Sequence, residues 1–249
     1  MRYLIKNWGL ILLLCSSMLY AEEVTIFFND DYRPVSYKNA QGKPAGPAYD
    51  LLKYHEGRGN TKFVFELSNW KRAYEMALRG KGGVIGLSKT KKRMALFDYS
   101  EPFYLIPIDV IVKKGNEFTF NSTADLKGKV VGVTNDASYG NEFNAAMENK
   151  VFEVDINYSI AVRLKKLLYD RIDCIVTGGG ENGLLMALKS DPFLYQKRDQ
   201  FVILKHGLGA DPLYLGFHKK MKMQHFLLDF NKSIKEAMDK EVIPKISNR

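Results

Sequence analysis

The sequence predicts an α/β protein built as two lobes that face a cleft. Three observations carry that prediction. Apolar runs short enough to be buried strands alternate with helical patterns from Glu22 onward. A helix, a buried strand and a polar loop follow one another at residues 70–90, and the same order recurs at residues 160–181. A strand-like run at 213–218 then leads the chain back toward its first half. Ligands meet α/β sheets at loops beyond the C-terminal ends of strands, so the two loops mark the cleft.

Taken in order, Val24, Ile26, Phe27 and Phe28 form a nearly continuous apolar run, as a strand covered on both faces requires. The loop Asn29-Asp30-Asp31-Tyr32-Arg33-Pro34 and a polar turn around Gly42 follow. Residues 46–54 predict a short helix with Tyr49, Leu51, Leu52 and Tyr54 as apolar contacts, and residues 63–67 a second strand. Trp70, Ala73, Tyr74, Ala77 and Leu78 fall on one face of a helix, which Ser68 or Asn69 can cap and Gly80 can end. Strands at 84–87 and 106–112 come next, with Asp98 placed to cap or brace the turn before Pro102. In the second half, 126–129 turn into a strand at 130–133, and the loop 134–140 opens a helix. Ile160, Leu164, Leu167 and Leu168 mark another helix, capped near Ser159. It delivers the chain to a strand at 172–176 and to the loop Thr177-Gly178-Gly179-Gly180-Glu181. A last helix spans about 222–240, and no low-complexity linker separates the halves, which suits short crossover strands acting as hinges.

The first residues bear on compartment. Arg2 and Lys6 precede an apolar run at 10–14, and small or polar residues lead to Ala21. That is the pattern of an export signal cleaved after Ala21, its core too short to span a bilayer. Leu14 before Cys15 is a poor lipoprotein site, so a soluble exported protein is expected. Removing residues 1–21 takes Arg2 and Lys6 from a net charge of +9 and leaves +7. The remaining basic residues are scattered among acids, which argues against a nucleic-acid partner. Cys174 then stands alone inside an apolar run, a small core residue with no disulfide partner. Four scattered histidines give no metal site, and no cofactor is expected.

The most informative stretch is Gly86-Leu87-Ser88-Lys89-Thr90-Lys91-Lys92-Arg93. Two readings fit it. One is a capped surface helix with a solvated basic face, which the local spacing favours. The other is an anion cradle at a helix start, with Thr90 as N-cap and a guanidinium to complete it.

With Phe97-Asp98-Tyr99-Ser100-Glu101-Pro102-Phe103-Tyr104 added, the chain resembles the family 3 extracellular solute-binding proteins, the periplasmic receptors of polar amino-acid ABC transporters. Trp70 before the Gly-x-Ser-x-Thr-x-x-Arg loop carries the likeness, as do residues 46–52, Leu126-Lys127-Gly128-Lys129-Val130-Val131-Gly132-Val133 and Asp173-Cys174-Ile175-Val176. The resemblance implies a type II periplasmic-binding-protein fold, each lobe a mostly parallel sheet flanked by helices. Lobe 1 would be residues 22–110 and 214–249, lobe 2 residues 111–213, with hinges near Ile111 and Leu213. It implies a monomer in the periplasm of a Gram-negative bacterium that closes on an amino acid or related carboxylate and docks on an ABC transporter permease.

Carried over residue by residue, the resemblance gives Arg93 the ligand carboxylate, Ser88 a hydroxyl or N–H donor, and Gly86 a carbonyl for a ligand amine. Trp70 would pack on the ligand, Asp31 and Tyr32 would line the first-lobe side, and Thr90 is a helix cap first and a ligand contact second. From the second lobe, Asp136 and Ser138 would present a helix N-terminus, while Thr177 and Gly178 would close over the ligand. One position departs from the pattern. Relatives usually place an aspartate at the position of Gly178, to pair with an α-ammonium. Either Glu181 or Asp136 substitutes, or the ligand lacks that ammonium. Two other functions fit the scaffold: a dehydratase-like enzyme, for which the chain shows no clear acid–base pair, and a stand-alone sensory or interaction module.

Overall fold

The computed structural model describes residues 22–59 and 61–246. The export signal expected at 1–21 lies outside the described residues. The first part of the chain forms β1 (Glu22–Asn29), β2 (Asp31–Tyr32), β3 (Ser36–Lys38), β4 (Pro44–Ala45), α1 (Pro47–Glu56), β5 (Thr61–Ser68), α2 (Trp70–Leu78), β6 (Gly83–Ser88), α3 (Lys91–Met94), β7 (Phe97–Tyr99) and β8 (Tyr104–Lys113). The remainder forms β9 (Val130–Thr134), α4 (Asn141–Glu148), β10 (Glu153–Asn157), α5 (Ile160–Leu168), β11 (Cys174–Gly178), α6 (Gly180–Lys189), α7 (Pro192–Gln196), β12 (Phe201–Ile203), β13 (Gly209–His218) and α8 (Gln224–Asp239).

Two sets of parallel strands sit at the ends of one curled sheet in the order β10-β9-β11-β8-β13-β6-β1-β5. On one side β1 runs parallel to β5 and β6, and on the other β9 runs parallel to β10 and β11. The strands between them, β8 and β13, are antiparallel and pair through Tyr104–Leu213 to Ile108–Gly209. Each then continues into a different lobe, β8 against β11 and β13 against β6. The lobes therefore share one hydrogen-bonded sheet rather than two separate ones.

The predicted helical face of α2 is the buried one: Trp70, Ala73 and Ala77 pack on Phe27, Val84, Leu87 and Phe97. Asn69 caps that helix by accepting from the Arg72 N–H at 3.1 Å. Helix α8 returns to α1, where Phe226 and Phe230 pack on His55, and His55 Nδ1 meets Ser233 Oγ at 2.7 Å. Cys174 is fully buried, and burial pushes its thiol up to about 12, so it is core and not reactive chemistry. Asp98 does not brace its own turn; its carboxylate accepts from Gln224 Nε2 at 2.7 Å and ties β7 to the start of α8. Among the described residues no group of His, Cys, Asp and Glu could hold a metal ion.

Candidate functional site

All six residues of β6 are buried, so the chain leaves this strand in a fixed direction. Thr90 Oγ1 then accepts from the Arg93 N–H at 3.1 Å and starts α3. The short turn swings Arg93 inward, where it is 6% exposed. Its guanidinium lies 4.8 Å from the Tyr74 ring centroid and 5.6 Å from that of Trp70, a cation–π seat that desolvation strengthens. Nη1 donates to the Ser88 carbonyl at 3.4 Å and Nη2 to the Asp136 carbonyl at 2.8 Å. A guanidinium carries five N–H groups, so these two bonds leave donors over.

Asp136 belongs to the loop after β9, on the other lobe. Its backbone is left-handed, φ 57°, and its carbonyl also accepts from Trp70 Nε1 at 2.9 Å. One carbonyl thus holds two first-lobe donors. Expectation and structure differ here: α4 begins at Asn141, so residues 136–139 form a turn ahead of it and present no helix N-terminus. The Ser138 hydroxyl is occupied by Asn144 Nδ2 at 2.8 Å.

The loop after β1 crosses the cleft the other way. The Asp31 carboxylate pairs with Arg33 and lies close to Ile160 at the head of α5. Ser159, expected to cap that helix, makes no side-chain capping bond, and the Asp31 carboxylate of the first lobe lies near the helix head. Burial holds the Asp31 carboxyl above its ordinary range, against the pull of Arg33, the Ile160 N–H and Arg163. The Arg33 carbonyl lies 2.7 Å from where a Cβ on Gly179 would stand, so this approach needs a residue without one. Tyr32 reaches over β11, and burial raises its hydroxyl well above its usual value.

These loops and strands enclose a small cavity of about 50 Å³. It brings together Asp31, Tyr32, Trp70, Gly86, Ser88, Arg93, Ser138, Thr177 and Gly178, all named from the sequence. Three named residues do not line it. Thr90 is spent as the cap of α3, Asp136 contributes its carbonyl to the closure, and Glu181 is exposed in the first turn of α6. The head of α6 takes its carboxylate from Asp109 of β8, whose Oδ2 accepts from the Gly180 N–H at 3.0 Å.

Sequence reasoning missed Arg33 and Arg163, which also line the cavity, and Asp211 behind Ser88. Arg163 has a signal in hindsight: with Ile160, Leu164 and Leu167 it sits at i, i+3, i+4 and i+7, a charge on the buried stripe of α5. Burial raises the Asp211 carboxyl, partly offset by the Ser88 hydroxyl and by Arg93.

Relatives agree with this architecture. The fold matches that of an ancestral arginine-binding protein bound to arginine, with a TM-score of 0.74 and 22% identity over 90% of this chain and 95% of that one. It also matches a histidine kinase sensor domain with similarity to periplasmic binding proteins, at a TM-score of 0.75 and 15% identity over 89% and 92% of the two chains. In sequence the chain is 33% identical to the L-cystine-binding protein TcyJ of Escherichia coli (strain K12) over 87 residues, 34% of this chain and 31% of the relative. It is 28% identical to a probable histidine-binding protein of Neisseria gonorrhoeae over 117 residues, 44% and 43% of the two. The matched stretches thus span less than half the length of these two curated relatives. Residues 24–249, nearly everything described, match a single family, and with two lobes closing on an arginine-bearing cavity the chain belongs to the bacterial extracellular solute-binding proteins, family 3.

Proposed function

We propose that this protein is a binding protein without turnover, which captures a small carboxylate-bearing ligand, an amino acid or a close relative, and presents it to an ABC transporter permease. The observation that carries the reading is Arg93: a nearly buried guanidinium in the interlobe cavity, held by carbonyls and aromatic rings rather than by a carboxylate. The names of the relatives support it, since cystine, histidine and arginine all carry the α-carboxylate such a group would meet. Trp70, Ser88 and Gly86 on one side, with Thr177, Gly178 and Ser138 on the other, would enclose the ligand. Lobe 1 would be residues 22–110 and 214–249 and lobe 2 residues 111–213, with β8 and β13 flexing near Ile111 and Leu213. Ligand would enter an open form, and contacts to both lobes at once would favour the closed one. Residues 1–21 would direct export to the periplasm and be cleaved off in the process.

A thermal-shift screen of amino acids, polyamines, dicarboxylates and keto acids tests the reading. A carboxylate ligand should raise Tm through mass action, and Arg93→Ala should abolish the shift while the variant stays folded. An unchanged shift in Arg93→Ala, or a preference for simple cations, sinks it. Turnover of the bound ligand would favour the enzyme reading instead.

A further inference from the structure

We infer that Arg163 is a second anion-recognition residue of the cleft, facing Arg93 from the opposite lobe, and that the ligand class is a small dicarboxylate. The inference rests on the reading of Arg93 given under Proposed function and deepens it. Arg163 lines the same cavity and is 2% exposed. Its Nη1 makes one long bond, to the Val176 carbonyl at 3.4 Å, and its Nε has no hydrogen-bond partner among the described residues. No described carboxylate approaches either Arg93 or Arg163 within 4.0 Å, whereas Arg33 is paired with Asp31. Asp31 and Asp211 act on Arg163 and Arg93 only at longer range. A buried guanidinium with no carboxylate in direct contact and an incomplete set of acceptors is costly, and an anion arriving in the cavity lowers the cost.

Two such groups on opposite walls set the ligand's chemistry. A monocarboxylate compensates one arginine and leaves the other buried without a partner. A small ligand with a carboxylate at each end compensates both, and does so only when the lobes are closed. An α-ammonium has little to meet. Among the described residues the one carboxylate lining the cavity, Asp31, is paired with Arg33, and Gly178 brings none. Two carboxylates are therefore the shared requirement, whether they come from an acidic amino acid or from a dicarboxylate lacking the amine.

Calorimetric titration of the purified protein, stripped of ligand by unfolding and refolding, tests this with matched probes. L-Glutamate is compared with L-glutamine, and succinate with butyrate, with 2-oxoglutarate as the amine-free counterpart of glutamate. The expected result is that the dicarboxylate of a pair binds about 10- to 100-fold tighter than its partner, the range of a charge-assisted hydrogen bond. Arg163→Gln should abolish the preference, bringing the dicarboxylate and its partner to within a few-fold of each other. Tighter binding of glutamate than of 2-oxoglutarate, or the reverse, identifies the source, and either supports the inference. Should glutamine or butyrate bind as tightly as its dicarboxylate in an Arg93-dependent way, the second anion site falls and the carboxylate-binding role stands. If no probe binds and Arg93→Ala changes nothing, both fall. The wild-type comparison decides the matter even if Arg163→Gln does not fold.

Discussion

Replacing Gly178 by alanine tests how β11 meets the rest of the cleft. A Cβ built there lies 2.8 Å from Ile106 Cδ1, 3.1 Å from Ile106 Cγ1 and 3.1 Å from the Tyr32 hydroxyl. Gly178 is not among the residues of positive φ, so sterics alone decide the outcome. Ile106 is fully buried in β8 and has little room to retreat. Overpacking of this kind costs ~1–3 kcal/mol. Ile106→Val removes the nearest methyl, and by itself costs ~0.5–1.5 kcal/mol for the gap it leaves. In the double variant the new methyl enters that gap. It should therefore be more stable than the two single effects predict by about 1 kcal/mol or more. Urea unfolding of the four proteins, followed by Trp70 fluorescence, measures this coupling. Effects that add within about 0.5 kcal/mol would refute the claim that Ile106 fills the space of a side chain at 178. The same contacts explain why an aspartate is absent here: its carboxylate would have to displace Ile106 and the Tyr32 hydroxyl together.

Three further outcomes follow from the closure contacts. Asp31→Ala removes the negative charge near the head of α5 and the partner of Arg33; the loss of about 1 kcal/mol falls on the closed form. Small-angle scattering should then show a larger mean radius, and an unchanged radius would show that Asp31 does not hold the lobes. Trp70→Phe keeps the ring beside Arg93 but deletes the donor to the Asp136 carbonyl, a loss of ~0.5–1.5 kcal/mol. Ligand affinity measured by calorimetry should fall several-fold, and equal affinity would remove that bond from the closure. Asp211 concerns pH. Burial raises its carboxyl above the ordinary 3.8, so the folded chain holds the proton more tightly than the unfolded one. Its stabilising share is complete below 3.8 and is lost as pH rises through the raised value. Relative to wild type, Asp211→Asn should therefore gain stability as pH climbs above 3.8 and gain none below it. Thermal melts from about pH 3 to 7 check the slope, and a difference independent of pH would contradict it.

What could be read in advance depended on how local its cause was. Helix α2 was legible because its apolar face, cap and stop all lie within residues 68–80. Arg93 was legible through the family resemblance carried by residues 70–104, since its local spacing alone favours a solvated surface helix. Partners far apart in sequence were not legible. Ser159 looks like a cap but makes no capping bond, and the Asp31 carboxylate of the other lobe lies near the head of α5. The three glycines after Thr177 look like an open loop, yet Asp109 on the neighbouring strand accepts from the Gly180 N–H and α6 starts at once. Arg163 was hidden because it stands in an apolar stripe, where the period announces core and not chemistry. Asp211 was hidden because only the pairing of β13 with β8 and β6 brings it beside Ser88 and Tyr32.

The energy of closure sets what a ligand has to do. Two hydrogen bonds cross between the lobes at the cavity, from Trp70 and Arg93 to the Asp136 carbonyl. At ~0.5–1.5 kcal/mol each they contribute about 1–3 kcal/mol. Against them stands the desolvation of Arg93 and Arg163, neither with a carboxylate within 4.0 Å among the described residues. Closure of the ligand-free protein is a balance between those bonds and the desolvation of the two guanidiniums. An anion that reaches both guanidiniums acts on that balance only in the closed form, because only there do Arg93 and Arg163 face one cavity. Its differential affinity then appears directly as closure, and a ligand that touches one lobe alone moves the equilibrium little however tightly it sits.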